Sequence, residues 1–246
     1  MKKGGLARVD VYDGAATQGE LVWLIAPKVF DALAGNNALL QSDPPPHKLP
    51  ATPHTLQPLI QRRWSPLGFD RERGIDRATL LSILEAGRWA ASSSNLQPWR
   101  FIVARREDQA EFQRLLSVIR EGNQPWAQHA AVLMIAVAHK FRQPGVINRH
   151  AGYDLGQAIA QMVLQALDHG VYAHQMGGFY PDRARETYQI PEDYEPYTAV
   201  AMAYRTSDLD HLGDGHRQRE ASQRERQSLT DLVFSGGWAQ PADFLL

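Results

Sequence analysis

The chain has 246 residues, a net charge of -1 and no cysteine. The balanced charge argues against general attraction to nucleic acid or an anionic membrane. The lack of cysteine excludes disulfides, thiolate catalysis and cysteine-bound metal or iron–sulfur centres.

Apolar residues make up 43% and charged residues 22%, the composition of a globular domain. No apolar run reaches the roughly 18–20 residues of a membrane helix. The basic pair at Lys2 and Lys3 has no apolar stretch behind it, so a cytoplasmic protein is expected.

Residues 1–55 have too few apolar positions for a core of their own and are expected to be an arm, partly disordered. Within it, Leu21, Leu24, Ile25, Val29 and Leu33 suggest a helix over Leu21 to Ala34, interrupted at Pro27. The proline-dense run from Asp43 should be extended. The main domain is expected over 56–246. A helix over 57–66 closes where Pro66 ends it, and Asp76 is a candidate N-cap for a second helix reaching about Ala91.

Trp99–Ala104 reads as a strand and Glu107–Ile119 as an amphipathic helix. The apolar run from Ala130 to Ala138 reads as a central strand. Residues 140–152 read as a polar loop, and Asp154–Leu167 has the wide apolar face of a buried helix that Gly170 closes. Val171–Met176 and Thr198–Tyr204 read as strands, with a short helix at Arg183–Tyr188 between them. The tail from His211 is charged.

Three places carry ligand-type chemistry. Between helix and strand lies Ala90-Ala-Ser-Ser-Ser-Asn-Leu-Gln-Pro-Trp-Arg, dense in side-chain donors and acceptors. Such a turn can hold the edge of a flat polar ligand, and an ordinary loop has the same composition. Arg62-Arg63-Trp64-Ser65 and Arg224-x-Arg226 combine guanidinium and hydroxyl donors suited to a phosphate monoester, or are solvated surface charges. Gln175-Met176-Gly177-Gly178 follows a strand, and its glycines would let backbone N–H groups approach a ligand. The nine histidines lack metal-ligand spacing, so no metal site is expected. Ser92, Ser93 and Ser94 lack the glycines of a nucleophile elbow, and neither GxGxxG nor GxxxxGK is present.

Taken in order, these segments resemble the FMN-dependent nitroreductase superfamily over about residues 57–240. Arg63-Trp64-Ser65-Pro66 looks like its opening Arg-x-Ser motif, and the serine-rich turn is similar to its Ala-Pro-Ser-Ser-x-Asn-x-Gln-Pro-Trp signature. The run from Gly170 to Phe179 looks like the segment beside the flavin ring, and Arg224-x-Arg226 resembles a basic pair near the C-terminus.

The resemblance implies an α+β fold. A mostly antiparallel central sheet would lie in a three-layer α/β/α sandwich, forming an intertwined homodimer with FMN at the interface. Arg63, Ser65, Arg224 and Arg226 would hold the phosphate, with Trp64 in the same motif. Asn95 and Gln97 would bond the ring edge, and Ser92 and Ser93 would reach the partner's flavin. The backbone of Gln175, Met176, Gly177 and Gly178 would face N5, and no protein residue would be the catalytic acid or base.

The implied activity is ping-pong hydride transfer from NAD(P)H through FMN to a small oxidised acceptor such as a nitroaromatic or quinone. Dehalogenation, azoline dehydrogenation, flavin fragmentation or flavin storage remain alternatives within the family. Two positions depart from the pattern. Leu67 stands where relatives commonly carry a cation beside the flavin pyrimidine, which implies a lower flavin potential and weakly favours storage. Ala91 stands where proline is usual. The arm is expected to cover the partner or narrow the slot, and residues 120–152 to form a lid.

Overall fold

The structure is a computed structural model that describes residues 6–11, 19–25 and 44–245. It divides into two compact units, Met1–Asp43 and Pro44–Leu246.

In the first unit, β1 (Leu6–Val11) pairs antiparallel with β2 (Gly19–Ile25), with a register shift at Arg8/Val9. The helix expected from Leu21 is therefore strand as far as Ile25. Short apolar runs satisfy both periodicities, and the valine, tryptophan and isoleucine of this one favour the pleated chain. The rest of that expected helix lies outside the described residues.

The second unit is built on a four-stranded antiparallel sheet. Its strands are β3 (Trp99–Arg105), β4 (Val132–His139), β7 (Val171–Met176) and β8 (Tyr194–Tyr204), in the order β3-β4-β8-β7. From Val132 to Ala138 every residue of β4 is buried, which requires cover on both faces of the sheet. The cover comes from α3 (Gln109–Leu116), against β3 and β4, and from α5 (Ala151–Asp168), across β3, β4 and β7.

Helix α1 (Pro58–Arg62) and helix α2 (Arg77–Arg88) pack on α5. Asp76 caps α2 by accepting from the Thr79 N–H at 2.9 Å, as its sequence position predicts. Gly87 lets α2 approach α5: a Cβ there would stand 2.1 Å from Met162 Cε. After α5, Gly170 adopts φ 74° and turns the chain into β7, a conformation that costs glycine little.

Some expectations change. The loop at 140–152 contains a small hairpin, β5 (Phe141–Gln143) with β6 (Val146–Ile147), and the start of α5. Because 132–139 is core strand, the span 120–152 is not one lid. The charged tail forms α7 (Asp214–Ala221), whose one buried residue is Glu220, so no apolar stripe announced it. Two further short α-helices are α4 (Gln124–Ala127) and α6 (Pro181–Tyr188). Among the described residues no helix is long and apolar enough to cross a membrane.

Candidate active site

Strand direction places two of the three ligand-type segments. Since β3 runs antiparallel to β4, and β4 and β7 both run antiparallel to β8, the start of β3 and the end of β7 share one end of the sheet. The serine-rich turn enters β3 there, and Gly177-Gly178 leaves β7 there. They lie on opposite edges, with β4 and β8 between, so roughly 14 Å of sheet separates them.

The serine-rich turn is held in an unusual backbone. Ser93–Asn95 forms a 3₁₀ turn, and Ser94, Asn95 and Gln97 have φ of 52°, 55° and 47°. Non-glycine residues rarely adopt this region, and such clusters mark functional or over-determined turns. Two anchors hold it: the Ser93 N–H donates to Asp154 Oδ2 at 3.1 Å, and the Gln97 N–H donates to Ser92 Oγ at 3.1 Å. Asp154 is 2% exposed at the start of α5. The Gln97 amide donates to Asn95 Oδ1 at 3.1 Å, so these two exposed side chains present one joined polar edge.

At the end of β7, Gln175 and Gly177 are exposed while Met176 is in the core. A Cβ on Gly177 would meet nothing within 4 Å, whereas one on Gly178 would stand 2.3 Å from Asn123 Nδ2. Asn123 Nδ2 and the Arg120 N–H both donate to the Gly178 carbonyl, at 3.1 and 3.0 Å. Gly178 is thus required by its neighbour, and Gly177 leaves open space.

The basic segments, far apart in sequence, come near enough for their charges to act on one another. Burial pulls the Arg63 pKa below its usual value, and so does the charge of Arg226. Burial acts likewise on Arg224, helped by Arg63 and Arg226. Among the described residues none of the three forms an ion pair with a carboxylate. Guanidiniums that feel one another's charge and have no carboxylate partner among the described residues are suited to an anion. Ser65 follows Arg63 by two residues, and His174 Nδ1 donates to the carbonyl of Pro66 at 2.9 Å, which ties this corner to β7.

Two motif side chains turn inward. Trp64 is 4% exposed, edge-on to Tyr172 with centroids 6.3 Å apart. Leu67 is 2% exposed and packs in the main core. An arginine at 67 would therefore be a buried charge. Sequence reasoning missed Asn123, Asp154 and His174. Only Asp154 carried a signal, a carboxylate in the first turn of a helix. The surface depressions lined by Ala86, Gln161 and Asp168, and by Val103, Arg105 and Glu107, include no candidate residue.

A model of the nitroreductase family matches residues 60–204. An uncharacterized 15.4 kDa protein of Mycolicibacterium smegmatis is 32% identical over 155 residues, 58% of this chain and 99% of its own length. A Streptomyces coelicolor protein provisionally named NADH dehydrogenase/NAD(P)H nitroreductase is 40% identical over 70 residues, 28% of this chain and 34% of its own. A solved structure described as an oxidoreductase containing FMN is 33% identical, covers 77% of this chain and 96% of its own, and superposes with a TM-score of 0.72. With more than half of its length matched and a relative of this similarity, the chain belongs to the nitroreductase family of oxidoreductases.

Proposed function

We propose that this protein is an FMN-dependent oxidoreductase. It takes hydride from NAD(P)H and passes it to a small oxidised acceptor such as a nitroaromatic or quinone, working as a cytoplasmic homodimer. The observation that carries the cofactor is the convergence of Arg63, Arg224 and Arg226 without a carboxylate partner among the described residues. That set fits a phosphate monoester in charge. The similar structure described as containing FMN supports this choice, and the name of the Streptomyces protein supports the reductant.

When bound, FMN supplies the hydride chemistry at its N5. The chain's own part is to bind, orient and shield. The three arginines, with Ser65, would neutralise the phosphate. Asn95 and Gln97 would present their amides to the polar edge of the ring. Gly177 would allow the backbone to approach the ring closely, and Gly178, fixed by Asn123, would hold that backbone in place. No side-chain acid or base is assigned.

The dimer is supported by geometry. Ring-edge donors and the glycine turn lie on opposite edges of one sheet, and a second copy can bring a serine-rich turn, with Ser92 and Ser93, to the other edge. Light scattering should then give twice the 27.6 kDa monomer mass.

The test is the visible spectrum of the purified, FMN-loaded protein before and after anaerobic NADPH. Flavin bands that bleach, and recover on adding a quinone, are expected. Absence of flavin bands after soaking in FMN overturns the cofactor reading. Bound flavin that NADPH leaves oxidised overturns the reductant.

A further inference from the structure

The arginine cluster is closed on one side by a short segment that lies outside residues 60–204. Pro46–Lys48 forms a 3₁₀ turn, and Lys48 is 4% exposed. Its ammonium donates to the carbonyls of Ser222 at 2.5 Å and Arg219 at 3.3 Å, and lies 4.8 Å from the centroid of Trp64. These carbonyls belong to the C-terminal turn of α7 and its cap, where a cation suits the helix dipole.

The same segment grips Arg224. The Lys48 carbonyl accepts from Arg224 Nη1 at 2.7 Å, and so does the Gln61 carbonyl at 3.3 Å. The Arg224 N–H reaches the His47 carbonyl at 3.4 Å. Glu220, also buried, accepts from the Leu67 N–H at 2.8 Å and favours the charged form of Lys48 against its burial. A buried ammonium persists only with acceptors and nearby negative charge, and the end of α7 supplies both.

We propose that Lys48 is a positioning residue for the phosphate site. By capping α7 and resting on Trp64, it fixes the turn whose carbonyl aims Arg224, and with it the strand of chain carrying Arg226, toward Arg63. The proposal rests on the FMN reading above and extends it to a residue outside the matched family region.

The test compares FMN with riboflavin, which lacks the phosphate, by fluorescence titration of the full-length protein. Wild type, Lys48→Met and Lys48→Arg are measured. Lys48→Met keeps the apolar stem on Trp64 and removes the donors. It should bind FMN about ten-fold more weakly, as expected for lost charge-assisted bonds, with riboflavin affinity unchanged. Lys48→Arg should recover most of the difference.

Undiminished FMN preference in Lys48→Met overturns the positioning role alone. Equal loss of both flavins shows general destabilisation and overturns it as well. A wild type that binds FMN no better than riboflavin overturns the phosphate reading itself, and the role with it. If Lys48→Met is unfolded by circular dichroism, Lys48→Gln, which keeps one donor group, is read on the same ratio.

Discussion

His174 donates from Nδ1 to the carbonyl of Pro66 at 2.9 Å, while its ring packs on Trp126 with centroids 4.4 Å apart. A carbonyl only accepts, so this bond fixes the tautomer and joins β7 to the segment carrying Arg63 and Ser65. Replacing His174 by Phe keeps an aromatic partner for Trp126 but leaves the Pro66 carbonyl without its donor. Stability should fall by about 1–3 kcal/mol in denaturant melts. His174→Asn, which keeps a donor, should lose more packing but retain more of the FMN-over-riboflavin preference.

Histidine burial is expected to weaken the fold in acid. Burial lowers the His129 pKa from 6.5 to about 4, and the charges of His211, Arg71 and Arg106 reinforce it. Burial also lowers His174 and His211. The unfolded chain thus binds protons at a pH where the native state does not. The associated stability is present above about pH 6.5 and is lost as pH falls toward 4. Melting temperature against pH should decline across that window, and His129→Gln should flatten the decline. An equally steep curve in the variant would show that other groups control it.

Arg63 illustrates a conflict between binding and stability. Its guanidinium is partly buried beside two like charges. Arg63→Met should therefore raise the melting temperature of the flavin-free protein by about 2–4 °C, the shift that about 1 kcal/mol produces in a chain of this size. The same variant should lose most of the stabilisation that inorganic phosphate gives the wild type. A variant that is destabilised without flavin, or still stabilised by phosphate, would remove Arg63 from the anion site.

What could be read from the sequence divides along physical lines. β4, β7 and α5 were legible because unbroken apolar runs and a wide 3.6-period stripe have few alternative uses. The run Leu21–Ile25 was not, since helix and strand patterns coincide over so few residues. Helix α7 was hidden because it buries a glutamate instead of an apolar face. Buried Lys48 and Glu220 run against the usual exposure of charged residues, so composition points away from them. The grouping of Arg63 with Arg224 and Arg226 came only from family resemblance, because relationships so remote in sequence leave no spacing to read. Trp64, Leu67 and Met176 lie within the motifs, yet their side chains belong to the core.

Asp154 tests the other half of the site. Its carboxylate is 2% exposed and accepts from the Ser93 N–H at 3.1 Å, in the first turn of α5. A negative charge is favoured there by the helix dipole. It also anchors a turn in which three non-glycine residues hold left-handed backbone, a conformation that persists only where surroundings impose it. Asp154→Ala should cost about 1–3 kcal/mol of stability, because a part-buried N–H loses its acceptor. Asp154→Asn keeps an acceptor oxygen and should cost less. On the proposed reading the released turn carries the ring-edge amides Asn95 and Gln97 and no phosphate ligand, so FMN and riboflavin should weaken together, by similar factors. This is the opposite of the pattern expected for Arg63 and Lys48. If Asp154→Ala weakened FMN alone, Asp154 would act on the phosphate corner, and the division of the site between its two edges would be wrong.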